Sequence, residues 1–132
     1  MKPRINMIGI LTDQFEVMRD FYRDVMGFEI KLEMENFVEF ESEGVRFALS
    51  TNEVMTMATG NESFRSPKSG HAFELAFQAS SKEAMDKEFD ELIEKGATSI
   101  KTPADMPWRQ RTAFFADPDG NIHELFIDIP TA

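Results

Sequence analysis

Apolar and polar positions follow two rhythms along this chain, and each predicts its own kind of element. Ile5 to Leu11 is almost continuously apolar and rich in β-branched residues, which predicts a strand. Thr12 or Asp13 then offers an N-cap. From Phe15 to Met26, Met18, Phe21, Tyr22 and Val25 recur at steps of three and four between charged residues, predicting a helix with one buried stripe. Gly27 suits the left-handed residue past its end. Three short β-like segments follow at Phe28–Glu33, Asn36–Glu41 and Val45–Thr51, with a tight turn at Glu43-Gly44. The second half repeats the order. His71–Ala79 alternates, with Phe73, Leu75 and Phe77 on one face and Glu74 on the other. A helix capped by Ser80 or Ser81 runs to Lys95 on a stripe of Met85, Phe89, Leu92 and Ile93, and Gly96 closes it. Ala97–Lys101, Arg109–Ala116 and Asn121–Asp128 complete the set as strands.

Each half therefore reads strand–helix–strand–strand–strand. A unit of that size scarcely makes a core alone, so the 132 residues form one domain of two modules. Module 1 spans about 1–55 and module 2 about 71–130. Between them, residues 52–70 are rich in Gly, Ser, Thr and Asn and read as an irregular linker or lid carrying Met55, Met57 and Phe64.

Composition narrows the function. At 42% hydrophobic and 29% charged, the chain is an ordinary globular protein. No apolar run nears the ~20 residues that cross a bilayer, and the N-terminus lacks the features of a secretory signal, so a cytoplasmic location is expected. The chain has no cysteine, which excludes disulfides, thiolate metal sites and thiol nucleophiles. A net charge of −10, shared evenly by the two halves, argues against nucleic acid and anionic membranes and favours cationic small molecules.

Two segments carry a resemblance. FYRDVMGFEI at Phe21–Ile30 and FFADPDGNIHELF at Phe114–Phe126 resemble the hallmark segments of the vicinal oxygen chelate superfamily. That superfamily includes glyoxalase I, bleomycin-resistance proteins, extradiol dioxygenases and fosfomycin-resistance enzymes. The resemblance implies an α+β fold: two βαβββ modules whose mixed sheets curl into a cup, with helices outside. It also implies a homodimer, with modules exchanged between chains in some members.

Family enzymes hold a divalent metal with His or Glu from four strands. By the flanking motifs, those places fall here on Asn6, Ala48, Glu74 and Glu124. Strand parity separately turns Glu74 and Glu124 toward the cup, because Leu75, Phe77, Leu125 and Ile127 face the helices. Ala48 offers no ligand atom and Asn6 only an amide. Two carboxylates and one amide could hold a hard ion such as magnesium or manganese but make a poor zinc, nickel or iron site. No cofactor is expected. His71 and His123 lie at odd separations from the glutamates, so regular strands turn them away; a β-bulge after Gly70 is the route by which His71 could turn inward. Asp117-Pro118-Asp119-Gly120-Asn121 reads as a hairpin turn rather than a calcium loop, since Ile122 stands where an EF-hand requires glycine. Trp108 either stacks on a ligand or braces its loop. Arg111 either pairs with Glu74 or Glu124 or binds an anionic ligand group, and parity alone does not say which face of its strand is inside.

Three functions are compatible with these residues. One is a binding protein resembling the bleomycin-resistance members, holding a small molecule in an acidic, partly aromatic cup formed by Asn6, Ala48, Glu74, Trp108, Arg111 and Glu124. The second is a metal-dependent lyase, isomerase or dioxygenase. The third is metal-free acid–base catalysis by Glu74 and Glu124.

Overall fold

The apolar runs become eight strands in the computed structural model, which describes residues 1–130. They divide between two units, Met1–Ser69 and Gly70–Ala132. In unit 1, β1 (Met7–Thr12) leads into α1 (Phe15–Asp20), and a π-helical turn over Phe21–Val25 continues it. The unit goes on through β2 (Ile30–Met34), β3 (Phe37–Phe40), β4 (Arg46–Thr51) and α2 (Asn52–Thr59). Its sheet runs β1-β4-β3-β2, with β1 parallel to β4 and the other pairs antiparallel. Unit 2 is wired identically: β5 (Ala76–Gln78), α3 (Met85–Lys95), β6 (Thr98–Met106), β7 (Gln110–Ala116) and β8 (Ile122–Asp128). Its order is β5-β8-β7-β6, again with the first pair parallel. These are the two βαβββ modules of the α+β fold read from the order of elements.

Each sheet buries one face beneath its helix. In unit 1 the α1 stripe delivers Met18, Phe21 and Tyr22. Tyr22 meets Phe28, Phe40 and Phe47 with ring centroids 5.2 to 6.5 Å apart. The π turn allows adjacent Phe21 and Tyr22 both to be buried, edge to face at 5.1 Å. Gly27 follows at φ 87°, where a side chain would be strained. In unit 2, Met85 and Phe89 of α3 are buried, as are Ala113, Phe115 and Leu125 of the sheet.

Five local expectations are corrected. The helix of 15–26 is α-helical only to Asp20. Neither Thr12 nor Asp13 caps it: Thr12 accepts the Gln14 N–H at 2.9 Å, and Asp13 accepts from the Asn52 side chain. Residues 52–70 are not wholly irregular, because the Thr51 hydroxyl accepts the Val54 N–H at 3.1 Å and starts α2, and a 3₁₀ turn covers Glu62–Arg65. Thr and Asn resemble loop chemistry in composition, but at a helix start they cap. Finally, the strand of 71–79 shrinks to Ala76–Gln78. Neither Ser80 nor Ser81 caps α3, which begins at Met85 after Ala84: Ser81 accepts the Ala84 N–H in the turn before it, and Ser80 donates to the Glu88 carboxylate.

The hairpin at Asp117 is built as a turn. Gly120 takes φ 83°, and Asp117 Oδ1 accepts the N–H groups of Asp119 and Asn121, both at 3.0 Å. Oδ2 accepts from the Asn121 amide at 2.9 Å.

Two substitutions test this arrangement by urea unfolding. Phe40→Ala, at 1% exposure within the ring cluster, is expected to lose roughly 3–5 kcal/mol. Thr51→Ala is expected to lose only about 1 kcal/mol, with faster amide exchange confined to the first turn of α2.

Candidate functional site

Strand alternation on β8 sorts its side chains. His123 and Leu125 are buried on the α3 side, so Glu124 points to the open face, half-buried. Its register partners are Ala76 on β5 and Phe114 on β7. The even positions of β7, Gln110, Thr112 and Phe114, therefore share the open face, which parity alone had left undecided. Thr112 is fully buried there, and its hydroxyl has no hydrogen-bond partner among the described residues.

Residues 71–75 run beside β8 without joining the ladder. They are held at Leu75, whose carbonyl accepts the Glu124 N–H at 2.9 Å and whose N–H reaches His123 Nδ1 at 3.4 Å. Released from strict alternation, His71, Phe73 and Glu74 all line one open depression of about 430 Å³ with Ala72, Phe114 and Ile122. This corrects two parity readings. Phe73 does not face the helix layer but is 47% exposed, and His71 lies on the same side as Glu74. The reason is the same for both: β5 begins only at Ala76.

Glu74 and Glu124 are brought together. Burial pushes the Glu124 carboxyl up from the ordinary glutamate range, and the neighbouring Glu74 charge and a hydrogen bond between the two side chains push it the same way. The arrangement offers a carboxyl pair beside Phe114, able to accept hydrogen bonds, neutralise a cation or exchange a proton.

The other site candidates lie elsewhere. Arg111 is on the helix side of β7, forked onto Asp86 at 2.8 and 2.9 Å and bonded to Asp105 at 3.0 Å. Its partners are thus not Glu74 or Glu124, and these bonds hold Asp86 below the usual carboxylate range. Trp108 sits on the β6–β7 hairpin, 62% exposed, and its Nε1–H donates to Gln110 Oε1 at 3.0 Å. Gln110 in turn donates to Asp128. Asp128 is four residues from Glu124, about 13 Å along the strand, so Trp108 belongs to the other end of the sheet. His123 is fully buried, its Nε2 3.5 Å from Asp117 Oδ2 and its ring edge-on to Phe77 and Phe115.

In unit 1, Asn6 is exposed just before β1, where its carbonyl accepts the Arg46 N–H. Ala48 is buried on β4 between Gly9 and Glu39. Sequence reading missed Glu39 and Arg46, which form a forked ion pair on this face. Their proximity depends on the register of β3 against β4, and spacing along the chain carries no sign of it.

As a donor set, two carboxylates, an amide and an alanine do not match the four His or Glu ligands of a transition-metal centre. Among the described residues no group of three or more His, Cys, Asp or Glu is placed to hold a metal ion.

Comparison with known proteins agrees with this fold. The uncharacterized protein YraH of Bacillus subtilis (strain 168) is 32% identical over 130 residues, 93% of this chain and 97% of its own. The crystal structure of a glyoxalase/bleomycin resistance protein/dioxygenase from Nocardioides matches with a TM-score of 0.87 at 27% identity, over 100% of this chain and 87% of that one. A glyoxalase/bleomycin resistance protein/dioxygenase family enzyme from Burkholderia phytofirmans PsJN matches with a TM-score of 0.81 at 26% identity, over 92% and 95% of the two chains. The model of the Glyoxalase/Bleomycin resistance protein/Dioxygenase superfamily matches residues 4–125, and the chain belongs to that superfamily.

Proposed function

We propose that this protein binds a small cationic molecule with an apolar or aromatic body at the Glu74–Glu124 pair, without a tightly held transition metal. The observation that carries this reading is the carboxyl pair itself: Glu74 lines an open depression with Phe73, Phe114 and Ile122, and its partner Glu124 is the register partner of Phe114. Two acids on an apolar wall repel each other and are relieved by a positive charge. The flanking rings add face-on attraction for a cation. The overall charge of −10 draws such ligands in.

The same pair supports a second reading, metal-free acid–base catalysis. A carboxyl with a raised pKa beside a second carboxylate is the arrangement that lets one acid donate while the other accepts. A metal-dependent lyase, isomerase or dioxygenase is the least supported, because Ala48 supplies no donor. A homodimer remains part of the proposal, and a monomeric mass by native mass spectrometry would remove it.

Four measurements test the reading. Benzylammonium serves as the probe. Its affinity by calorimetry is expected to fall roughly tenfold in Glu124→Gln or Glu74→Gln, the loss of about one charge-assisted hydrogen bond. Unchanged affinity in both variants would refute the site. Binding should also strengthen as pH rises through the raised Glu124 value, because the pair then gains its second negative charge. The stability effect has the opposite sign. A carboxyl raised in the folded state contributes stability below the ordinary glutamate range and loses it as pH climbs through the raised value. Glu124→Gln should therefore gain in Tm relative to the parent as pH rises above the ordinary glutamate range. Protein purified without chelator is expected to carry no stoichiometric iron, nickel or zinc by elemental analysis. A one-to-one content of any of them would overturn the metal-free reading.

A further inference from the structure

Unit 1 carries a polar arrangement on its own sheet. Phe40 and Phe47 are register partners and face Tyr22 of the helix layer. Alternation therefore puts Glu39, Ala48 and Arg46 on the face of the sheet opposite Tyr22. There Glu39 Oε2 accepts from Arg46 Nε at 3.0 Å, and Oε1 accepts from Nη2 at 2.7 Å. Lys31 Nζ lies 4.0 Å from the same carboxylate.

The exposures of the two partners differ sharply. The Glu39 side chain is only 5% exposed, while that of Arg46 is 58% exposed. Taking a carboxylate out of contact with water is costly, and an apolar residue would serve the sheet as well. What the buried carboxylate does achieve is to fix the plane of an exposed guanidinium. The Arg46 hydrogen bonds hold Glu39 below the usual carboxylate range, so it stays ionised in this role.

Glu39 occupies only one edge of the guanidinium. The other edge, Nη1 with the outer N–H of Nη2, is a second fork of the same geometry. Among the described residues no further carboxylate pairs with Arg46. With Lys31 alongside, this cluster is net positive in a chain of charge −10. Large exposed apolar residues share the face: Met7 beside Arg46, Leu32 beside Glu39, and Met34 one row on.

We infer that Arg46, held flat by Glu39, is a receptor for a planar carboxylate borne on an apolar body, which lies against Leu32, Met34 and Met7. The fork recognises the carboxylate by paired hydrogen bonds, and the apolar side chains distinguish it from a small hydrophilic anion.

Benzoate is the probe, with acetate and benzyl alcohol supplying its charged and apolar halves separately. In full-length protein labelled with ¹⁵N-arginine, benzoate is expected to shift the Arg46 Nε–H resonance in a saturable way. Acetate should bind several-fold more weakly and benzyl alcohol should leave the resonance in place. Arg46→Met is expected to weaken benzoate, measured by calorimetry, by roughly tenfold or more. Arg46→Lys keeps the charge and loses the fork, and is expected to fall between the two. No saturable benzoate binding to the parent protein would overturn the inference, as would equal affinity in Arg46→Met. If Arg46→Met does not fold, Arg46→Lys decides, and affinity equal to the parent's would exclude the fork.

Discussion

Side chains of a strand alternate between its two faces, and one sheet face in each unit is already taken by a helix. On β8 that constraint drives His123 and Leu125 into the layer beneath α3 and leaves Glu124 on the open side, opposite Phe114 and Ala76. On β3 and β4 it sends Phe40 and Phe47 toward Tyr22 and puts Glu39 and Arg46 on the other face. The packed faces account for the stability of each unit, and the opposite faces carry the Glu74–Glu124 and Glu39–Arg46 pairs. Moving β8 or β3 by one residue would bury Glu124 or Glu39 against a helix and expose His123 or Phe40.

Within unit 2 the open face is organised in stages. The Asp117 turn closes the β7–β8 hairpin and sets the register that pairs Phe114 with Glu124. Leu75 then anchors the segment before β5 to residues 123 and 124, which brings Glu74 to its partner. Arg111 ties β7 and the β6 edge to the start of α3 through Asp86 and Asp105, so a residue that reads as a ligand contact serves the scaffold instead.

Much of this was legible in the chain. Helical spacing in Phe15–Met26 and Met85–Lys95, short β-like runs and the two hallmark segments led to the repeated modules. Parity on Asn121–Asp128 correctly turned Glu124 away from the helix. What failed was parity applied where no ladder exists: His71, Phe73 and Glu74 share a depression because residues 71–75 are not a regular strand. Periodicity is a property of hydrogen-bonded strands, and sequence does not show where the hydrogen bonds stop. Arg111 was ambiguous because its own strand alternates apolar residues on both faces. The Glu39–Arg46 pair was invisible because seven residues of separation mean nothing until the β3–β4 register is known.

Thr112 shows how loosely one position is determined. Folding strips its hydroxyl of water and returns no partner among the described residues, a loss of about 1–3 kcal/mol, while its shape is that of valine. The backbone around it would accept the isostere without rearrangement. Drift between the two residues at this point in related sequences would therefore carry no information about architecture, whereas persistent retention of the oxygen would have to be explained by something other than the fold.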